Sequence, residues 1–463
     1  MPEPAPDKPA AVSRTVGAWA AAVRMITRWL ERHERVDELL GTLPPTLTGP
    51  ERARCQHLVF GVLRHFGRLD AGLGRLMARP PRPATRAVLL IAGFELLEAL
   101  GEPAAEGRVA KIVHHAVEQA KHLASPKEAK LVNAVVRKLA GLLTAEAPPK
   151  LAEPAVLAEY FSHPEWLVRR WLTQFGAGPT RRLLEWNQQP ARVYARWRDT
   201  AAPVPAWFTP TAWAGYHEVP SGRWGEIEPL LAAGRLYLQD PSTRLAVDLL
   251  APQPGETVLD ACAAPGGKSL LIADRLRDLA RSGGAAPGAT AGRVIALDLP
   301  AVASKPAMAG KPGPRIDRLK ENLSRVTDVD VALVQGDLLG GEYKLFDDHR
   351  LPTEYSAVLL DVPCSNTGVM RHRVDVKWRL QEGDFGKHGR QQLALLHAAA
   401  RLVAPGGRIV YSTCSVDSEE NAAVVKAFFE SRAGGPFKLE ASTISFPWES
   451  GHDGAAAFRL RKG

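Results

Sequence analysis

Beyond Leu236 the chain alternates short β runs with helical stretches, and this grammar restricts its fold more than any other feature. The runs are E-T-V-L-D (256–260), R-V-I-A-L-D (293–298), V-A-L-V-Q-G-D (331–337), A-V-L-L-D (357–361) and R-I-V-Y-S-T-C (408–414). Strands separated by helices predict a parallel, doubly wound, Rossmann-like α/β sheet. Ligands of such sheets lie at the carboxyl ends of the strands, which is where the unusual residues of this chain fall.

D-A-C-A-A-P-G-G-K-S (260–269) ends the first run and opens a helix. Gly266 and Gly267 permit close backbone approach to a ligand at a helix N-terminus. A Walker A loop would need glycine where Cys262 stands, and no G-x-G-x-x-G is present. Asp298 closes the next run, 31 residues after Gly267. An acid there accepts from ribose hydroxyls; capping a turn is the structural alternative. R-S-G-G-A-A-P-G-A-T-A-G (281–292) accounts for the spacing beyond the usual ~20 residues. Asp337, in Q-G-D, suits an adenine amino group, with the same alternative. A ribose-gripping acid without a phosphate cradle fits S-adenosylmethionine better than a dinucleotide. The cofactor residues expected are Cys262, Ala263, Ala264, Pro265, Gly266, Gly267, Lys268, Asp298 and Asp337. L-L-D-V-P-C-S-N-T-G (359–368) and Y-S-T-C-S-V (411–416) each put a cysteine just past an apolar strand, an unusual place for a residue that is normally a small core hydrophobe.

From about Ala11 to Leu143 the periodicity is helical, with Leu58, Val62, Phe66 and Leu69 on one stripe and further helices over 84–100, 104–123 and 126–143. This is an all-helical bundle. The net charge of +9 is uneven: residues 1–150 hold 22 Lys/Arg against 15 Asp/Glu, the remainder 37 against 35. That surplus fits either solvated helix faces or a polyanion-binding module. Residues 144–156 have linker composition, and helix and short strands mix from there to about 230. Seven of the eleven Trp lie between 166 and 224, so core packing competes with stacking on unpaired bases beside Arg192, Arg196 and Arg198. The domains expected are 1–145 (helical), 146–234 (connecting α/β) and 235–463 (catalytic).

The four cysteines, at 55, 262, 364 and 414, have neither C-x-x-C spacing nor histidines at metal-ligand spacing, which argues against a disulfide scaffold or a zinc site. Free thiols point to the cytoplasm. The longest obvious apolar run, Ala87 to Phe94, is far too short for a membrane span, and the first residues do not read as a secretory signal.

Together these motifs resemble the RNA (cytosine-5) methyltransferases of the Nol/Nop/Sun type, most closely their bacterial RsmB (Sun) branch. D-A-C-A-A-P-G-G-K-S resembles the family's cofactor loop, D-V-P-C-S its P-C motif and S-T-C-S its T-C motif. Y-L-Q-D-P-S (237–242) is similar to the start of its catalytic domain, and R-V-D-V-K-W (373–378) to the segment after the P-C motif. The N-terminal bundle is similar to a NusB-like RNA-binding domain through F-G-V-L-R (60–64), L-M-A-R-P (76–80) and L-V-N-A-V-V-R (131–137). The resemblance implies small-subunit ribosomal RNA as partner, no membrane, no metal and a monomer. It assigns Cys414 as nucleophile, Cys364 to proton removal or product release, Asp361 to nitrogen 3 of the base and to the bound cofactor, and Lys268 to orienting this cluster; Cys55 reads as structural. Three departures stand out: a Pro/Gly/Lys-rich stretch at 300–315, Val374 in place of a proline, and D-G-A-A-A-F-R-L (453–460) without an aromatic pair after D-G. A transfer-RNA methyltransferase shares these motifs, and a non-catalytic NusB-like factor is the reading from another class. A DNA enzyme fits less well, lacking a T-C counterpart.

Overall fold

The computed structural model describes residues 17–100, 105–150, 153–283, 291–300, 315–326, 328–340 and 351–463. Most of the insertions at 281–292 and 300–315, and the first sixteen residues, lie outside the described residues. The chain forms two compact units: one runs to Pro190 and includes Lys377–Arg379, the other comprises Ala191–Val376 and Leu380–Gly463.

The first unit is helical: α1 (Ala18–Arg32), α2 (Val36–Leu40), α3 (Gly49–Leu76), α4 (Pro83–Ala99), α5 (Ala105–Leu123), α6 (Ala129–Ala145), α7 (Pro154–Tyr160), α8 (Glu165–Phe175) and α9 (Ala177–Gln188). α3 begins at a capping box in which Thr48 and Glu51 satisfy each other's backbone N–H groups, and Leu58, Val62 and Leu69 of the predicted stripe are buried. α4 is apolar on nearly every face, with Ala87 to Leu96 buried, as befits a helix at a bundle centre; it packs on α1, α3, α5 and α6. Cys55 is buried in α3 and burial pushes its thiol up to about 11, in keeping with a packing role.

The second unit holds two sheets. The smaller, antiparallel sheet has the order β2-β3-β1-β4, from β1 (Tyr194–Trp197), β2 (Thr209–Pro210), β3 (Tyr216–Glu218) and β4 (Leu236–Leu238), with α10 (Trp224–Ala232) between β3 and β4 in sequence. The Trp-rich stretch spreads over both units. Trp171 is buried in the first, Trp207 stacks on Phe208 in the second, and Trp224 is 58% exposed. Arg196 and Arg198 are buried and both bind the Asp274 carboxylate, so the idea that they flank base-stacking indoles is corrected. Their guanidiniums are committed to an internal ion cluster.

The larger sheet has the order β10-β11-β9-β8-β5-β6-β7. β5 (Thr257–Ala261), β6 (Arg293–Asp298), β7 (Asp330–Gln335), β8 (Tyr355–Asp361) and β9 (Val403–Thr413) are parallel, matching the five predicted runs. The sheet is not parallel throughout: β10 (Phe437–Ser445) and β11 (Ala455–Lys462) add an antiparallel hairpin beside β9. β11 is marked in the sequence by an alanine run, A-A-A-F-R-L, rather than by β-branched residues. α11 (Arg244–Leu250) precedes β5, and α12 (Gly267–Ser282) follows it; α13 (Arg315–Leu323) lies between β6 and β7 in sequence. Strand order reverses between β5 and β8, which makes their carboxyl ends the switch point where ligands of open α/β sheets bind. Among the described residues no helix is long and apolar enough to cross a membrane.

Candidate active site

At the end of β5 the chain turns through Cys262 to Gly266 into α12. Cys262 and Ala263 N–H both donate to Leu297 O at 2.9 Å. Cys262 has φ 77° and Gly266 φ 102°. A Cβ on Gly266 would come 2.9 Å from Leu319, and one on Gly267 would come 3.0 Å from the Tyr237 ring. The two glycines are thus required by close packing of the turn. Asp298 receives Ala264 N–H at 2.7 Å and Leu299 N–H at 2.8 Å, while Asp337 receives Leu339 N–H at 2.9 Å. Both acids cap turns, and a carboxylate has about four acceptor sites, so these bonds leave capacity for a ligand.

Asp260 escaped the sequence reading as a site residue. It is 1% exposed; Ser269 Oγ donates to Oδ2 at 2.5 Å, and Oδ1 is buried with no hydrogen-bond partner. Burial pushes this carboxyl up to about 7, against the lowering bond from Ser269. An orphaned acceptor beside a glycine turn, with Asp298 near and no phosphate cradle, fits a cationic, phosphate-free nucleoside such as S-adenosylmethionine.

Asp361, closing β8, uses both oxygens: Oδ2 accepts from Lys268 Nζ at 2.7 Å and Oδ1 from Ser412 Oγ at 2.7 Å. Burial works against the Lys268 ammonium, but the Asp361 charge and hydrogen bond outweigh it and hold its pKa above the usual lysine range. Ser412 lies opposite Asp361 in the β8–β9 ladder, a partner the sequence reading missed because register is not visible in one strand.

Beyond these strands Cys364 and Cys414 meet, Sγ to Sγ 3.1 Å. Asn366, at φ 62°, donates from Nδ2 to Cys364 O at 2.8 Å and places Oδ1 3.4 Å from Cys414 Sγ. Gly368 N–H donates to Cys414 O at 2.9 Å, an approach that a Cβ 2.6 Å from that oxygen would prevent. Glu420 underpins the Cys364 loop: it accepts from Ser365 N–H at 2.9 Å, from Ser365 Oγ, and from Gln392 Nε2 at 3.0 Å, while Ser365 Oγ also meets Ser415 Oγ of the Cys414 loop at 3.2 Å. The hydrogen bond with Cys414 and burial push the Cys364 thiol well above the usual range.

A cavity of about 100 Å³ is lined by Lys268, Asp361, Cys414, Asp240 and Asp453, with Ala455 to Ala457 on its wall. Cys364 is not among its lining residues. The D-G-A-A-A-F departure therefore puts alanines where the resemblance leads one to expect aromatic rings. The geometry brings Cys364, Cys414, Asp361 and Lys268 together, and places the 262–267 turn and Asp298 at adjacent strand ends.

Comparison with known proteins agrees with this architecture. The family model described as 16S rRNA methyltransferase RsmB/F matches residues 247–442, and that of the NusB family matches 18–141. The chain is 30% identical over 426 residues to ribosomal RNA small subunit methyltransferase B of Salmonella arizonae, covering 88% of this chain and 89% of that protein. The homologue from Erwinia tasmaniensis is 28% identical over 460 residues, covering 95% and 97%. The crystal structure of PH0851 shares the fold, with TM-score 0.70 and 20% identity over 98% of this chain and all of that one. A methyltransferase homolog from Pyrococcus horikoshii aligns at TM-score 0.50 and 22% identity over 68% of this chain and all of its own. Matched along its helical and its α/β parts alike, the chain belongs to the RsmB/F family of S-adenosylmethionine-dependent ribosomal RNA methyltransferases.

Proposed function

We propose that this protein methylates carbon 5 of a cytosine in small-subunit ribosomal RNA through a covalent cysteine adduct. The observation that carries this reading is the pair of thiols 3.1 Å apart, of which Cys414 alone lines the cavity shared with Lys268 and Asp361. Carbon 5 of cytosine is a weak nucleophile. A Cys414 thiolate adding at carbon 6 makes the ring enamine-like and divides one hard step into easier ones. Asp361, held by Lys268 and Ser412, is aimed to manage the proton at nitrogen 3. Bound S-adenosylmethionine supplies an electrophilic methyl group, and the residues that would hold it are 262–268, Asp298, Asp337, Asp361 and the orphaned Asp260. The cysteine at 364, kept as a thiol, assists release by hydrogen bonding to the departing Cys414 sulfur. For carbon 5 to meet both thiolate and methyl donor, the base must leave its stack.

RNA binding is assigned to residues 1–145, whose exposed basic residues include Lys130, Arg137 and Lys138; residues 146–234 contact RNA, and 235–463 carry the chemistry. The same reading places the protein in the cytoplasm as a monomer needing no metal. The test is incubation with methyl-labelled cofactor and separate ribosomal and transfer RNAs, followed by mapping of the modified base. Label at carbon 5 of a cytosine in small-subunit RNA is expected; label in transfer RNA alone, at an adenine, or in no RNA overturns the reading.

A further inference from the structure

Methylation at carbon 5 leaves a proton there that a base must remove, and the cavity offers few groups with a free lone pair. Lys268 is an ammonium bound to Asp361. Asp361, bound to Lys268 and Ser412, is engaged with the proton of nitrogen 3 in the reading above. Cys414 is the leaving group of that step, and Cys364 is a buried thiol outside the lining. The titratable groups that remain on the wall are Asp240 and Asp453.

These two acids form a built pair. Asp240 Oδ1 receives N–H bonds from Ser242 at 2.9 Å and from Asp453 at 3.2 Å. Asp240 Oδ2 and Asp453 Oδ1 are both buried with no hydrogen-bond partner, and the Asp453 side chain is only 4% exposed. His372 holds the other Asp453 oxygen, Nδ1 to Oδ2 2.7 Å, while its Nε2 lies 3.2 Å from Arg192 O. A carbonyl only accepts, so Nε2 donates in that contact, and a ring protonated at Nδ1 as well faces Asp453 as a cation. That form has no lone pair for a metal ion, although the three side chains lie close enough to suggest one. Burial and the Asp453 charge raise the pKa of Asp240, and the two acids in turn raise that of His372 despite burial. Arg371, the Tyr194 phenol, Arg192 and Glu218 lie around the pair, and Lys268, Asp361 and Cys414 share its cavity.

We propose that the Asp240–Asp453 carboxyl pair, braced by His372, is the proton acceptor of the elimination step. The proton on carbon 5 moves to the carboxylate pair. The C–H electrons re-form the 5,6 double bond, the bond from carbon 6 to Cys414 breaks with its electrons on sulfur, and nitrogen 3 returns its proton to Asp361. This inference rests on the carbon 5 reading above.

The test uses the full-length protein, RNA carrying tritium at carbon 5 of its cytosines, and carbon-labelled methyl donor. The unaltered enzyme is expected to release one tritium to water per methyl transferred. In Asp453→Asn and Asp240→Asn, release should fall about a hundredfold or more, the scale of general-base catalysis, while methyl label and tritium collect together in a denaturant-stable protein–RNA adduct. Release at the unaltered rate overturns the proposal, as does a parallel loss of methyl transfer and tritium release without adduct, which would make the pair a binding element. In His372→Gln both carboxyls survive but lose their cation, so the acid limb of the pH profile of tritium release should move to higher pH; an unmoved limb also counts against it. Methyl incorporation without tritium release by the unaltered enzyme overturns the carbon 5 reading itself and this inference with it.

Discussion

On the β8–β9 side of the strand-end cleft, Glu420 receives the Ser365 amide, the Ser365 hydroxyl and Gln392, and Thr413 is tied to Asn421 at 2.6 Å. On the β5–β6 side, Asp260 keeps one buried oxygen with no partner. The thiol loops are satisfied from within, so two cysteines distant in sequence can hold a fixed separation. The glycine-turn side is left with an unmet acceptor, whose desolvation has already been incurred and which a cationic ligand can satisfy. The thiol loops are fixed by a satisfied network, whereas the glycine turn and the Asp240–Asp453 pair keep buried acceptors with no partner.

The sharpest way to break this contrast is at the thiols themselves. Cys414→Ala should lose methyl transfer by ~10³-fold or more while retaining cofactor binding, because removing one member of a covalent mechanism removes the whole route; rapid-quench turnover beside equilibrium cofactor binding separates the two. In Cys364→Ala addition should proceed but release stall, and a protein–RNA adduct visible on a denaturing gel is the expected sign.

Glu420→Ala tests whether the thiol side depends on its complete network. Three donors would lose their acceptor, at roughly 1–3 kcal/mol for each buried group left unpaired. A fall in melting midpoint of about 5 °C or more is expected, with Glu420→Gln recovering part of it. A neutral Ala variant would show that the network is decorative.

Asp260→Asn addresses the opposite side. Its carboxyl titrates at about 7 in the fold against ~3.9 when unfolded. Between those values the unfolded chain gives up its proton first, so this residue's contribution to stability is fully present below about pH 4 and is lost as pH rises toward 7. The asparagine variant should flatten that decline in chemical-denaturation measurements. It should also weaken cofactor binding about tenfold above pH 7, roughly 1.4 kcal/mol, and abolish the rise in affinity that ionisation of Asp260 produces on approaching pH 7.

The smallest effect belongs to the helical unit, where basic side chains face solvent. Replacing Lys130, Arg137 and Lys138 with Gln should reduce the salt dependence of RNA binding, each lost phosphate contact removing up to ~0.9 from the log–log slope. An unchanged slope would assign RNA binding elsewhere.

Much of this site was legible in advance. The predicted runs at 293–298 and 357–361 end at Asp298 and Asp361 as observed, because period and strand-end punctuation are local properties. The β10–β11 hairpin was not legible: an alanine run has weak strand preference, and only pairing with β9 decides it. Arg196 and Arg198 looked like RNA contacts because a sequence does not reveal which arginines are buried. Asp274, a helix residue with no motif around it, claims both.

The sequence by itself determined the strand-end positions of the chemistry-bearing residues, the glycine turn and the basic character of the helical part, since each follows from composition or short-range spacing. Only the tertiary structure decided that Cys364 and Cys414 stand 3.1 Å apart, that Ser412 completes the shell of Asp361, and that Asp240 and Asp453, 213 residues apart, meet on one cavity wall. The physical reason is register: pairing between strands converts long separations in sequence into contacts of a few ångströms, and no single segment carries that information.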